Sequence, residues 1–403
     1  MRRTPTPGPG PQDGSLVAPV LAGVVTALVG FTSSFAVVLA GLRAAGGSPE
    51  DAASGLLALT VAFGLGIVGL ALWHRVPVTL AWSTPGAALL VSTGQVDGGW
   101  PAAVGAFALV GVLVVLTGLV PWLGRLVERI PPSVAQAMLA GVLLPLVLAP
   151  VETVGASPAL ALPVVATWLV VTRWASRWAV PAALVACLAV IAVELTRSGT
   201  SVDGPLLPVL TWTTPTLTPA AVVGIALPLY VVTMASQNVP GAAVLRSFGY
   251  GVPWRSSMAV TGVGTVAAAP FGGHAINLAA LSAALAAGEE AGPDRDRRWV
   301  AALSAGAAYL LLALVSGALT TLTAAAPSGL VETVAGLALL GAFGAAAATA
   351  MADPASRTSA VVTFLVAAGG VSVAGIGGAF WALVAGLVVR AVLERPRAVG
   401  DTA

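Results

Sequence analysis

Long apolar runs, parted by short clusters of charge, proline and glycine, fill almost the whole chain after Leu16. Their lengths and boundaries predict fourteen membrane spans: 16–42, 52–72, 76–93, 101–121, 132–150, 158–173, 178–196, 219–243, 254–269, 270–288, 299–325, 328–350, 358–374 and 378–393. Runs of about 20 apolar residues match a hydrocarbon core of about 30 Å. The third run, Val76–Thr93, is broken in its middle by Pro85. Proline suits a first helical turn, because its ring presets φ and its missing N–H is not needed there. The residue before it is driven out of helical φ/ψ, so Thr84 is predicted as an N-cap, with Val76–Ser83 extended and Pro85–Thr93 a half-helix. Eight extended residues reach about 26 Å and nine helical ones about 14 Å, ample to cross. A helix that begins in mid-membrane leaves N–H groups unpaired, which is tolerated only inside protein or around a cavity. The break therefore marks a ligand site.

Composition fixes the class. Of 403 residues, 58% are hydrophobic and 8% charged, and the mean hydropathy is +0.97; a soluble chain carries about 25% charged residues. The fold class is an all-α polytopic membrane protein. The single cysteine, Cys187, excludes an internal disulfide and a cysteine metal cluster, and its apolar surroundings predict an inert buried thiol. Residues 1–15, polar and rich in proline and glycine, read as a disordered tail, and the run after them is too long for a cleaved signal peptide. All 18 basic residues are arginine. With a cytoplasmic N-terminus, every arginine except Arg43 and Arg197 falls on the inner side of the fourteen spans, as the positive-inside bias requires. Both termini, including a tail over 394–403, are then cytoplasmic.

The second half repeats the first with opposite orientation. Thr32–Gly46 aligns without a gap on Ala235–Gly249, matching Ser33 to Ser236, Arg43 to Arg246 and Gly46 to Gly249. Seven spans per half is an odd number, so the halves are inverted, a pattern typical of transporters. The repeat predicts that Pro270–Gly288 is the partner of the opening break. Aligning Pro77 with Pro270 sets Asn277, a second capping residue, against Thr84, ahead of a half-helix over Leu278–Ala287. Two half-helix N-termini meeting at mid-membrane, each worth about half a positive charge, favour an anion without any buried arginine.

Four stretches in order, Gly30–Phe35, Pro77–Gly86, Met234–Gly241 and Pro270–Asn277, resemble the benzoate/proton symporter family BenE, and the resemblance runs over nearly the whole chain from Leu16. It implies the fold of uracil permease-like and sulfate permease-like transporters, a 7+7 inverted repeat with spans 3 and 10 part extended and part half-helix. Spans 1–4 (16–121) and 8–11 (219–326) would form a core that carries the site. Spans 5–7 (131–196) and 12–14 (327–393) would form the gate. It further implies uptake of benzoate or a similar aromatic carboxylate with protons across the cytoplasmic membrane, and the relatives of this fold point to a homodimer.

The candidate site residues follow from these motifs. Thr84 and Asn277 cap the half-helices, and their side chains or only the adjacent backbone N–H groups would meet substrate. Ser83 and Trp82 precede the first break, and Trp82 either stacks on an aromatic ring or packs. Phe31 and Phe35 share a helical face and either wall an aromatic pocket or fill the core; Ser33 lies between them. Ser236-Gln237-Asn238 is too polar to face lipid, so Gln237 and Asn238 face substrate or neighbouring helices. His274, close to Ile276 in the extended arm, is one of only two histidines. Histidine titrates near neutrality, and an ionisable group inside a membrane is a functional candidate, so His274 is either the proton-coupling group or a neutral structural residue.

No carboxylate falls at the breaks, unlike the glutamates that nucleobase carriers of the related fold use to accept ring N–H bonds. An inside-negative potential opposes a monoanion by about 2.3 kcal/mol per 100 mV, so accumulation needs a co-transported cation, and a proton is the simplest. Nucleotide-binding and metal-ligand motifs are absent from the sequence, which disfavours a pump, an enzyme or a nucleic-acid partner. The alternatives are a nucleobase or inorganic-anion carrier on the same scaffold and, less favoured, an anion channel.

Overall fold

A computed structural model describes residues 16–394 apart from 121, 124–129, 200–203, 205, 371–372 and 374–375. The expected N-terminal tail and nearly all of the C-terminal tail lie outside those residues. The first half comprises α1 (Val17–Thr32), α2 (Phe35–Ala44), α3 (Pro49–His74), β1 (Leu80–Trp82), α4 (Thr84–Thr93), α5 (Gly99–Leu119), α6 (Pro132–Ala156), α7 (Pro158–Ala175) and α8 (Ala179–Ser198). The second comprises α9 (Pro219–Ser247), α10 (Trp254–Ala268), β2 (Ile276–Leu278), α11 (Leu281–Ala287), α12 (Trp299–Ala313), α13 (Ser316–Ala324), α14 (Leu330–Ala350), α15 (Arg357–Ala368) and α16 (Gly378–Leu393). Each of the fourteen predicted segments holds a helix. Among the described residues, seven helices are long and apolar enough to cross a membrane, or eight if the bent pair α12–α13 is one span.

Three local departures from straight helices have identifiable causes. The first segment is interrupted at Ser33 and Ser34, whose hydroxyls both donate to the Gly30 carbonyl at 3.0 and 3.2 Å and so compete with the backbone ladder. The segment at 299–325 bends by 52° between α12 and α13. Pro240 does not break its segment. Instead α9 runs on through two π turns, Val222–Ala226 and Met234–Asn238. The Val239 N–H bonds Met234 O, so the ladder has already shifted where Pro240 offers no donor.

The two broken arms cross as an antiparallel pair, with Leu80 opposite Leu278, Ala81 opposite Asn277 and Trp82 opposite Ile276. The pairing extends beyond the strands, since Ser83 N donates to Ala275 O at 2.9 Å and Ala279 N to Thr79 O at 3.0 Å. Gly272, at φ +92°, makes the turn from α10 towards β2, and a Cβ there would lie 2.8 Å from the Asp51 carbonyl. Asn277, expected to cap a helix starting at Leu278, lies inside β2, and α11 starts three residues later at Leu281. Ladder hydrogen bonds hold those residues extended.

Helices α6, α14, α15 and α16 pack on one another, with α7 and α8 against α14. A second group joins α1 to α12, α12 to α3, and α10 to α3 and α5. The groups meet where α2, α4 and the second π turn of α9 lie against α14 and α6. Close approach of α2 to α4 requires Gly41, where a Cβ would lie 2.4 Å from the Ala87 carbonyl.

Candidate functional site

At the junction of the two groups a cavity of about 130 Å³ lies beside both broken arms. Its walls are Gly30, Ser33 and Ser34 at the break between α1 and α2; Ala81, Trp82, Thr84 and Pro85 on the first arm; and Ala279, Ala280 and Ser282 on the second. Gln237 closes one side, and the opposite wall is small and apolar: Leu143 of α6 with Ala338, Leu339 and Ala342 of α14. No carboxylate, arginine or histidine is among these residues.

Ser83, not Thr84, is the N-cap of α4. The Ser83 hydroxyl accepts from the Gly86 N–H at 3.2 Å and from the Thr233 hydroxyl of α9 at 2.9 Å. Thr84 is the first helical residue and lines the cavity. An N-cap oxygen bonds the N–H two or three positions on; from Ser83 the nearer of these is Pro85, which has none, so the bond falls on Gly86. Pro85 instead occupies the helix's second position, where no N–H is needed.

Trp82 is held from both sides. Its indole N–H donates to Ser34 Oγ at 2.7 Å, and its ring lies 5.3 Å from Phe31 and 5.5 Å, edge on, from Phe63. Phe35 stacks on Phe31 at 5.9 Å and is wholly buried, so it belongs to the aromatic layer behind the cavity. Pairs of this kind contribute about 0.5–1.5 kcal/mol each beyond area burial. They hold the one aromatic ring that reaches the cavity.

The π turn of α9 separates two adjacent amides. Asn238, fully buried, turns towards β2, where its Oδ1 accepts from Leu278 N–H at 2.8 Å and its amide contacts Met234 Sδ at 3.1 Å. Gln237 faces the cavity. Adjacent helical residues point about 100° apart, and π turns recur at functional sites.

His274 sits behind the cavity wall, fully buried. Its Nε2 lies 3.0 Å from the Ser83 carbonyl, which can only accept, so Nε2 carries the proton. Nδ1 has no partner among the described residues. Ile276 is buried in β2, its N–H donating to Thr265 Oγ1 at 2.9 Å. Asn277 donates from its amide to Leu278 O at 2.8 Å, leaving a buried Oδ1 without a partner.

Of the ten residues singled out from sequence, Ser33, Trp82, Thr84 and Gln237 therefore share the cavity. Phe35, Ser83, Asn238, His274, Ile276 and Asn277 stand behind it. Sequence reasoning missed Ser282 and the wall of α6 and α14, whose alanines and leucines look like any other span. Only their place in the packing would have pointed to them.

Known proteins share this architecture. The transmembrane domain of the cyanobacterial bicarbonate transporter BicA superposes with a TM-score of 0.61 at 17% identity, covering 92% of this chain and 97% of that one. The murine Slc26a9 anion transporter in its inward-facing state gives 0.66 at 13% identity over 93% of this chain and 68% of that one. In sequence, the chain is 40% identical to the inner membrane protein YdcO of Escherichia coli (strain K12), over 93% of this chain and 95% of that protein. It is 27% identical to the benzoate membrane transport protein of Acinetobacter baylyi (strain ATCC 33305 / BD413 / ADP1), over 96% and 98% respectively. The family of benzoate membrane transport proteins, BenE, matches residues 14–392. On that extent of likeness, and with its run of apolar helices, the chain belongs to the BenE family of membrane transporters and is a multi-pass protein of the inner membrane.

Proposed function

We propose that the protein imports benzoate or a similar aromatic carboxylate together with protons, by movement of a core (16–121 and 219–326) against a gate (131–196 and 327–393). The observation that carries this reading is the cavity itself. Its volume, about 130 Å³, is close to the ~150 Å³ that holds one benzene ring in an engineered protein core. Trp82 supplies a ring face, and Ser33, Thr84, Gln237 and Ser282 supply polar groups at the edge. No carboxylate lines it to repel an anion, and the ten-residue helix α4 begins beside it, its N-terminus favouring negative charge. Antiparallel pairing of β1 with β2 and the arginine distribution support the inverted 7+7 arrangement with both termini inside.

His274 is the group we assign to proton coupling. Protonating it places a positive charge beside Ser83, directly behind the start of α4, which strengthens the hold on an anion. By linkage, a bound anion favours the proton equally. Loaded with both, the site carries no extra net charge against the membrane potential. An empty return then leaves accumulation driven by the pH gradient.

Radiolabelled benzoate uptake into proteoliposomes under an imposed pH gradient tests the reading. Accumulation above protein-free vesicles, competed by unlabelled benzoate, is expected. Uptake no faster than in empty vesicles, or stronger competition by bicarbonate or uracil, would overturn the assigned substrate.

A further inference from the structure

A second cavity, of about 300 Å³, lies along the same junction. Four of the elements that wall the central cavity continue into it. On α2 the walls pass from Ser34 to Leu39 and Arg43, on α4 from Thr84 to Val91, on α6 from Leu143 to Leu146, and on α14 from Leu339 back to Ala335 and Glu332. The nine residues from Ser34 to Arg43 correspond to about 13 Å of helix rise. The cavities thus lie in succession along the junction, with Arg43 and Glu332 in the farther one. At the other end of the junction Arg177, between α7 and α8, forms an ion pair with Glu290, which follows α11.

Arg43 is the unusual member. Its Nε and Nη2 are buried and have no hydrogen-bond partner among the described residues, although a guanidinium stays charged under all ordinary conditions. Glu332 shares the chamber but is not within ion-pair distance. Arg43 as a whole is half-buried, and buried donors without a partner call for an explanation. Nε and Nη2 lie on one edge of the guanidinium, the edge that donates two parallel bonds to both oxygens of a carboxylate. Arg43 lines the chamber with that edge buried, so taking a carboxylate through it requires the side chain to turn about its flexible stem.

We infer that this chamber is a carboxylate-binding waypoint, in which Arg43 captures the anionic substrate before it reaches the central cavity and Glu332 competes for the guanidinium to release it. The substrate's identity here rests on the function proposed above; the attraction of the chamber for anions does not.

The two are separated by a substrate-free measurement. In a Cys187→Ala, Ala40→Cys protein, the rate of modification at position 40 is compared for anionic and cationic methanethiosulfonate reagents. The anionic reagent is expected to be favoured. Arg43→Gln should lower the anionic-to-cationic ratio by roughly tenfold, the lower end of electrostatic focusing in a cleft, and Glu332→Gln should raise it. High salt should shrink both effects. A ratio unchanged by Arg43→Gln overturns the waypoint, whatever the protein transports. With benzoate as the probe, Arg43→Gln should raise the half-saturating concentration by about tenfold at near-constant maximal rate, with Arg43→Lys recovering part of it, since Lys keeps the charge but not the bidentate fork. Unchanged half-saturation in a variant whose labelling ratio has fallen removes the chamber from the transport route. Absence of benzoate uptake in the unmodified protein counts against the substrate assignment alone, and the labelling ratio still decides the waypoint.

Discussion

The two broken arms have the same outline and are held in different ways. The first, β1–α4, secures itself: Ser83 caps the helix, Pro85 sits in its first turn, and the helix continues for ten residues. The second, β2–α11, begins its seven-residue helix at Leu281, with Ala280 ahead of it giving no side-chain cap, and is secured from outside. Asn238 of α9 accepts the Leu278 N–H, and Gly241 brings α9 so close that a Cβ would lie 2.9 Å from the Ala279 carbonyl. The first arm thus carries its own helix cap, whereas the second, beyond the ladder the two share, takes its side-chain hydrogen bond from α9.

Substitutions can break that comparison in a graded way. The largest effect on stability is expected from Asn238→Leu, which strands the buried Leu278 N–H at a cost of about 1–3 kcal/mol. Thermal unfolding in detergent should show a clear drop, and a melting temperature equal to that of the unmodified protein would mean the second arm holds itself. Ser83→Ala comes next, with the loss of a cap worth about 0.5–2 kcal/mol and of the acceptor for Thr233. Ser83→Thr, which keeps the acceptor, should retain most of the stability, whereas Ser83→Val, of the same shape, should not.

His274→Gln is milder for stability, because an amide can still donate to Ser83 O. Uptake by the unmodified protein should rise as external pH falls, whereas the variant should lose gradient-driven accumulation and keep exchange of bound substrate. An unchanged pH profile would remove His274 from coupling. Gln237→Ala is expected to leave unfolding untouched, as Gln237 makes no hydrogen bond to the described residues, yet to raise the half-saturating benzoate concentration by about tenfold, the equivalent of one net hydrogen bond of ~1.4 kcal/mol. A large loss of stability there would place Gln237 with Asn238 as a structural residue.

Much of this molecule is written in its hydropathy. The apolar runs located a helix in every segment, and Pro85 exposed the first broken arm, because proline acts within a few residues of itself. The finer placement was not legible. Thr84 and Ser83 are both good caps by type, and only the hydrogen bond to Gly86 N–H separates them. Asn277 also reads as a cap, but the ladder to Ala81 overrides that local preference. The interruption at Ser33–Ser34, where both hydroxyls bond the Gly30 carbonyl, and the π turn at Met234–Asn238 are announced by no periodicity.

Chain-local physics therefore settled the membrane class, the helical segments and the broken third span, since apolar length, proline stereochemistry and charge bias act along the sequence. Tertiary structure alone decided which polar residues share a cavity. Ser33, Trp82, Thr84, Gln237 and Ser282 come together while Asn238 and His274 turn away, because strand register, a product of packing between distant segments, and one π turn set the direction each side chain faces.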